Sequence, residues 1–335
     1  MNRIKAGSLL AAATFLVASC GSSPTTTASA GPTTSAGGSA GSITVSGSST
    51  VEPITARVAE AFNAAHPEIG MTVEGPGTGD GFARFCAGET DISDASRPIN
   101  TSEVAVCEAA GIQYVELHIA TDGITVITSP DNADVSCLSY GDMYALVGPE
   151  SEGFANWNDA DALAVEVGGT GGFPAAPLVI TAPGEESGTY DTFVELVLAD
   201  LAEERGADVT ARADYQASAN DNVIVDNVAA NPTSFGWVGF AFFEENTDAL
   251  KPIEVDGGGG CTAPGVEAIA SFEYPLSRPL FIYISLNRLA ENPALGEFID
   301  YYLSDEGLGA VSEAGYVQIP ASDLDETRAA WETSK

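Results

Sequence analysis

Three runs rich in glycine and hydroxyl residues are placed where a chain could hold an anion: Gly47-Ser48-Ser49-Thr50, Gly75-Pro76-Gly77-Thr78-Gly79-Asp80-Gly81 and Ser187-Gly188-Thr189. Each joins a strand-like run to a helix-like one. At such a junction the first N–H groups of the helix have no partner within it, and they favour negative charge in front of them. The hydroxyls have two possible uses, capping the helix or joining its N–H groups on an oxyanion. The four glycines of the second run suit either a close backbone approach to a ligand or a plain tight turn. Between the second and third runs lies Asp94-Ala95-Ser96-Arg97-Pro98. Arg97 is one of few cations here, and its simplest use is a surface ion pair.

The elements around these runs alternate short β-rich stretches with helical ones, the pattern of a layered α/β protein. Ile43-Thr44-Val45 and Met71-Thr72-Val73 read as strands. A helix over about residues 51–65 carries Val51, Ile54, Val58 and Phe62 on one face and stops at Pro67. Asn100 and Glu103 form a capping pair for a helix that Gly111 closes. Residues 112–120 and 124–128 are apolar and suited to carrying the chain between domains. A second long helix spans residues 189–204, with Phe193, Val194, Val197 and Leu201 inward and Gly206 past its end. Residues 235–243 and 281–286 read as buried strands, the second returning the chain to the first domain. The expected lobes are residues 43–125 with 276–335, and residues 126–275.

The chain has 335 residues, with 12 Lys and Arg against 48 Asp and Glu, a net charge of −36. So acidic a surface is unsuited to nucleic acid, and any anion site must work through short-range contacts, because salt screens exposed charges beyond roughly 8–10 Å. Residues 1–19 read as an export signal, with Arg3 and Lys5 before a short apolar stretch. Val17-Ala18-Ser19-Cys20 looks like a lipobox, so Cys20 is the expected lipid anchor to the cell membrane. Residues 20–42, with Cys20 at their head, form a flexible linker almost wholly of Gly, Ser, Thr, Ala and Pro. Four further cysteines contain no C-x-x-C pair, which disfavours zinc and points to disulfides with three possible connectivities. Cys86 with Cys107, and Cys137 with Cys261, keeps each bridge within one expected lobe.

Taken together, GSSTVEPI, GPGTGDGFARFCAGETDISDASRPI, ESGTYDTF, SANDNVIVDNVAANPTSFGWVGFAFFEEN and YPLSRPLFIYISLN resemble the phosphate-binding proteins of bacterial high-affinity phosphate ABC importers, from about Ile43 onward. The resemblance implies a two-lobed periplasmic-binding-protein-like α/β fold (type II), crossed twice by the chain, with phosphate in the cleft. It implies a binding protein outside the cytoplasmic membrane, at the cell surface or in a periplasm. Such a protein delivers to an ABC permease, without a cofactor or catalysis. By position, Ser49, Thr50 and Thr78 would bind from one wall and Ser187, Gly188 and Thr189 from the other, with Ser48 a further candidate. The best-known branch has a proton-accepting Asp where Ser96 stands, and an Arg where Pro183 stands. Ser96 and Arg97 are then expected at the site, with Arg97 as the replacement cation. The proton acceptor is left open among Asp80, Asp94, Glu186 and Asp191, and Asn222 is either a further donor or part of a helix start. The alternatives are a binder of another tetrahedral oxyanion such as sulfate, or a phosphatase-like hydrolase. His66 and His118 are expected to be structural, and no G-x-S-x-G elbow is present.

Overall fold

The computed structural model describes residues 41–185 and 187–335. The signal, Cys20, the linker up to residue 40 and Glu186 lie outside the described residues.

A long strand, Tyr114–Thr128, organises the sheet. Its first part pairs antiparallel with Ser277–Ser285, and its last residues pair antiparallel with Ser234–Gly239. Beyond Ser277–Ser285 lie Ile92–Ala95, Ser42–Gly47 and Gly70–Glu74. Beyond Ser234–Gly239 lie Val179–Ala182 and Gln216–Ala217. Ser42–Gly47 runs parallel to both its neighbours, so the strands that precede the first loop and Ser96 end at the same edge. In open α/β sheets that carboxyl edge is where ligands bind. The two apolar stretches read at residues 112–120 and 124–128 are thus one strand, continuous through Asp122 and Gly123.

Two large apolar cores flank this sheet. One gathers Ile43, Val45, Ile54, Val58, Phe62, Phe298 and Trp331. The other gathers Tyr144, Trp157, Phe193, Phe235 and Trp237. A smaller cluster, with Phe82, Phe85 and Tyr283, fills the opposite face of the first half of the sheet. Tertiary contacts nevertheless join the described residues into one compact unit.

The helix Glu52–Ala65 buries Ile54, Val58 and Phe62. Asn100 and Glu103 form a reciprocal capping box on Thr101–Ala110, and Gly111 closes that helix at φ 73°. The second long helix begins at Gly188 and ends at Arg205, but Val194–Leu198 within it forms a wider π turn. The strand expected over residues 235–243 stops at Gly239, and Phe240–Glu245 is helical. Phe240 and Phe243, three residues apart, are both buried there, as one helical face places them, whereas strand alternation would send them to opposite faces. Cys86 is bridged to Cys107 at 1.99 Å and Cys137 to Cys261 at 2.01 Å. The first bridge ties together the helices Thr78–Cys86 and Thr101–Ala110.

Candidate anion site

Glycine lets the first two loops approach each other. A Cβ on Gly47 would lie 2.0 Å from the Asp94 carbonyl oxygen, and one on Gly81 would lie 2.5 Å from the Gly47 Cα. Any side chain at either position would push the loops apart. The Ser48 N–H donates to the Asp94 carbonyl at 2.8 Å, and the Gly77 N–H to the Gly47 carbonyl at 2.8 Å. These bonds set the two helix starts side by side at the sheet edge.

Between them and the Gly188 helix is a cavity of about 240 Å³, lined by Ser48, Ser49, Thr50, Gly77, Thr78, Gly79, Ser96, Arg97, Asp191, Glu195 and Arg278. The Ser49 hydroxyl donates to the Asp191 carboxylate at 2.8 Å. The Thr78 and Ser96 hydroxyls are 3.0 Å apart, and the Ser96 N–H donates to Thr78 Oγ1 at 3.2 Å. Ser48 Oγ accepts from the Thr50 and Val51 N–H groups and so caps its own helix. No side chain caps the helix that starts at Thr78, whose first N–H groups have no partner within the helix, and Gly77, Thr78 and Gly79 at that start line the cavity.

The strongest cation here is one that sequence reasoning missed. Arg278, with a side chain only 5% exposed, donates through Nε to Asp122 at 3.3 Å and through Nη1 to Glu195 at 2.5 Å. Nη2 donates to Thr50 Oγ1 at 2.8 Å and to Thr192 Oγ1. Thr192 in turn donates to Asp122 at 3.0 Å. Burial pushes the Asp122 carboxyl upward, against the opposing pull of Arg278 and Thr192. Asp122 and Arg278 are register partners on the two long strands, so the ion pair is fixed by the sheet itself.

Arg97 lines the cavity, but its guanidinium forks onto Glu103 at 2.9 and 2.8 Å and lies over the Phe82 ring. This pair, with the hydrogen bond from Asn100, holds the Glu103 carboxyl below its usual range despite partial burial. Gly188 packs against Ser49 and Thr50, while Ser187 caps its own helix by accepting from the Thr189 N–H, and neither Ser187 nor Thr189 lines the cavity. Asp80 also lies off the lining. Asn222 sits in a helix start, donating its N–H to Asn220.

Asp94 turns away from the cavity. Strand alternation sends Ser93 toward Gly81 and Asp94 to the opposite face, near Thr55 and Tyr302. Its carboxyl is fully buried, neither oxygen has a hydrogen-bond partner of ordinary geometry, and burial pushes it up to about 8. His118 is packed against Phe272 and Phe281, and its pKa is lowered by burial. His66 ends a helix beside Glu68, and neither histidine lines the cavity.

Residues 32–306 match the family model described as a PBP superfamily domain. The chain belongs to the PBP superfamily. Among its relatives, Protein SphX of a Synechocystis strain is 39% identical over 281 residues, 83% of this chain and 79% of that one. The phosphate-binding protein PstS of Staphylococcus epidermidis is 35% identical, over 84% of this chain and 79% of its own. A solved structure of a possible phosphate binding protein from Planctomyces limnophilus is 35% identical with a TM-score of 0.80, covering 88% of this chain and 99% of that one. The PBP-like α/β architecture is therefore that of this superfamily.

Proposed function

We propose that this chain captures inorganic phosphate outside the cytoplasmic membrane and hands it to an ABC permease for import. What carries the reading is the convergence of Thr50, from the first loop, and Thr192, from the Gly188 helix, on the buried Arg278 beside a cavity sized for one small oxyanion. The kinship with named phosphate-binding proteins supports the choice of anion. Residues 43–125 with 276–335 form one lobe and residues 126–275 the other; the two large apolar cores divide largely along that line, with Ile124, Leu276 and Val317 of the first lobe packing into the second core. The Ser49–Asp191 and Thr50–Gly188 contacts are those that close the cleft. The ligand set is Ser49, Thr50, Thr78, Ser96 and the first-turn N–H groups, with Arg278 as the principal cation and Arg97 as a second, held back by Glu103. Binding, rather than catalysis, is the role that hydroxyls and N–H donors of this kind support.

Asp191 is the selectivity residue. Hydroxyls can donate or accept, whereas N–H groups and guanidinium only donate, so donors alone would welcome phosphate and sulfate equally. A fixed carboxylate accepts the proton of hydrogen phosphate and faces sulfate, which has none, as an unpaired like charge. Of the carboxylates first considered, Asp191 is the described one that lines the cavity. Asp191→Asn should narrow the phosphate-to-sulfate affinity ratio by about tenfold or more, the worth of one charged hydrogen bond. An unchanged ratio, measured by calorimetry, would assign selectivity elsewhere.

Anchoring is assigned to lipid on Cys20. Among the described residues no helix is long and apolar enough to cross a membrane. Cys20→Ser should release the protein into the soluble fraction on fractionation, and retention through a high-salt wash would place the anchor elsewhere.

A further inference from the structure

Four acceptors surround Arg278, and they differ in one respect. Asp122, Thr50 and Thr192 are buried, whereas the Glu195 side chain is 44% exposed. Glu195 and Arg278 both line the cavity, and the Glu195 carboxylate takes the Nη1 donor on that side. An oxyanion that reaches the guanidinium needs an N–H donor whose present partner can give way. On Arg278 the Nε and Nη2 partners, Asp122, Thr50 and Thr192, are all buried side chains, so the partner that most readily yields is Glu195.

The local helix geometry places it there. Asp191 and Glu195 are four residues apart, with Thr192 beside Asp191, a spacing that aims all three at one side of the Gly188 helix. Glu195 falls in the π turn Val194–Leu198, an irregularity that concentrates at functional sites. The carboxylate is thus built in against the arginine and still reachable by water.

We propose that Glu195 is an intramolecular competitor for the anion: it holds the Arg278 donor that phosphate takes, and its displacement sets how tightly the site binds. The inference rests on the phosphate reading above and adds a second role for a carboxylate, distinct from that of Asp191. Asp191 discriminates by accepting a proton, whereas Glu195 repels any anion at Arg278, protonated or not. Its removal therefore strengthens binding of phosphate and sulfate alike.

The test is calorimetric titration of the full chain, as wild type, Glu195→Gln and Glu195→Ala, with inorganic phosphate and with sulfate. Both variants are expected to bind phosphate about tenfold more tightly, the size of one charged hydrogen bond, with the phosphate-to-sulfate ratio unchanged. The alanine variant covers the case in which the new amide keeps a hydrogen bond to Arg278, and melting curves establish that each variant is folded. Equal or weaker phosphate binding by both folded variants, beside a wild type that binds, overturns the competitor role and leaves the phosphate reading standing. Loss of discrimination in either variant would make Glu195 the proton acceptor and also overturn it. A wild type that binds no phosphate removes the underlying reading and this inference with it.

Discussion

Arg278→Ala is expected to abolish measurable phosphate binding and to lower the melting temperature by about 10 °C. Two effects combine. The guanidinium is the donor on which Thr50 and Thr192 converge, so its loss removes the cation and unties the contact between the first loop and the Gly188 helix. It also strands Asp122, buried on the neighbouring strand, and breaking a buried pair by removing one partner costs about 3–5 kcal/mol. At roughly 2–4 °C per kcal/mol for a protein of somewhat smaller size, that is a large fall in melting temperature. Adding Asp122→Asn should recover much of the stability and none of the binding, since it cures the stranded charge without restoring the donor. Arg97→Ala is the natural control, because its charge is already largely taken up by Glu103, and its loss should weaken binding less. Calorimetry and thermal melts on the same samples check all four proteins. Phosphate binding that survives Arg278→Ala within a factor of about two would remove Arg278 from the site, because losing a charged hydrogen bond costs about tenfold.

Asp94→Asn is expected to stabilise the protein at and above neutral pH, and to remove most of a pH dependence that the wild type shows between about pH 4 and 8. The Asp94 carboxyl is buried, with no hydrogen-bond partner of ordinary geometry, and is pushed up to about 8 by desolvation, eased by Thr55 and worsened by Glu52. In the unfolded chain it titrates near 3.9. The folded state therefore binds the proton more tightly. Its stabilising contribution is complete below pH ~4, declines as pH rises toward 8, and is gone above that. An amide keeps the shape and cannot ionise. The gain at pH 8 is of the order of a few kcal/mol, or several degrees in melting temperature, with no gain near pH 4. Melts at several pH values would show parallel curves for the two proteins if Asp94 titrates normally, and that outcome would contradict the assignment.

How far the sequence could be read follows from which interactions are local. The capping box of Asn100 and Glu103, the helix stop at Gly111 and the loops that open helices at Ser48 and Thr78 depend on residues within a turn of one another, and each is legible as spacing. Arg278 and Asp122 depend on register between strands 156 positions apart, and no periodicity reveals that. A signal was present nonetheless. Asp122 falls between the apolar stretches 112–120 and 124–128, and Ser277-Arg278-Pro279 repeats the tripeptide Ser96-Arg97-Pro98 just before the stretch 281–286 that reads as buried strand. Opposite charges among buried neighbours on two long strands are best explained by their facing each other. Asp94 illustrates the opposite limit. Its place two residues before Ser96 suggested the cavity, but the strand ends at Ala95, so its alternation does not carry over to Ser96; within the strand Ser93 faces Gly81 and Asp94 the other side, and which face is the site depends on the packing of the Glu52 and Thr78 helices. The strand after Phe235 stops short of Phe243 for a simpler reason: Gly239 ends it, and the three-residue spacing of the buried Phe240 and Phe243 fits a helical face, a signal that a continuous apolar run hides.

The most direct test of the central claim is calorimetric titration of the unmutated protein with phosphate and with sulfate at neutral pH and fixed salt. The account predicts saturable phosphate binding with one site per chain, and sulfate binding weaker by at least about tenfold, the worth of one misplaced acceptor. Equal binding of the two anions, or no binding of phosphate, would contradict it.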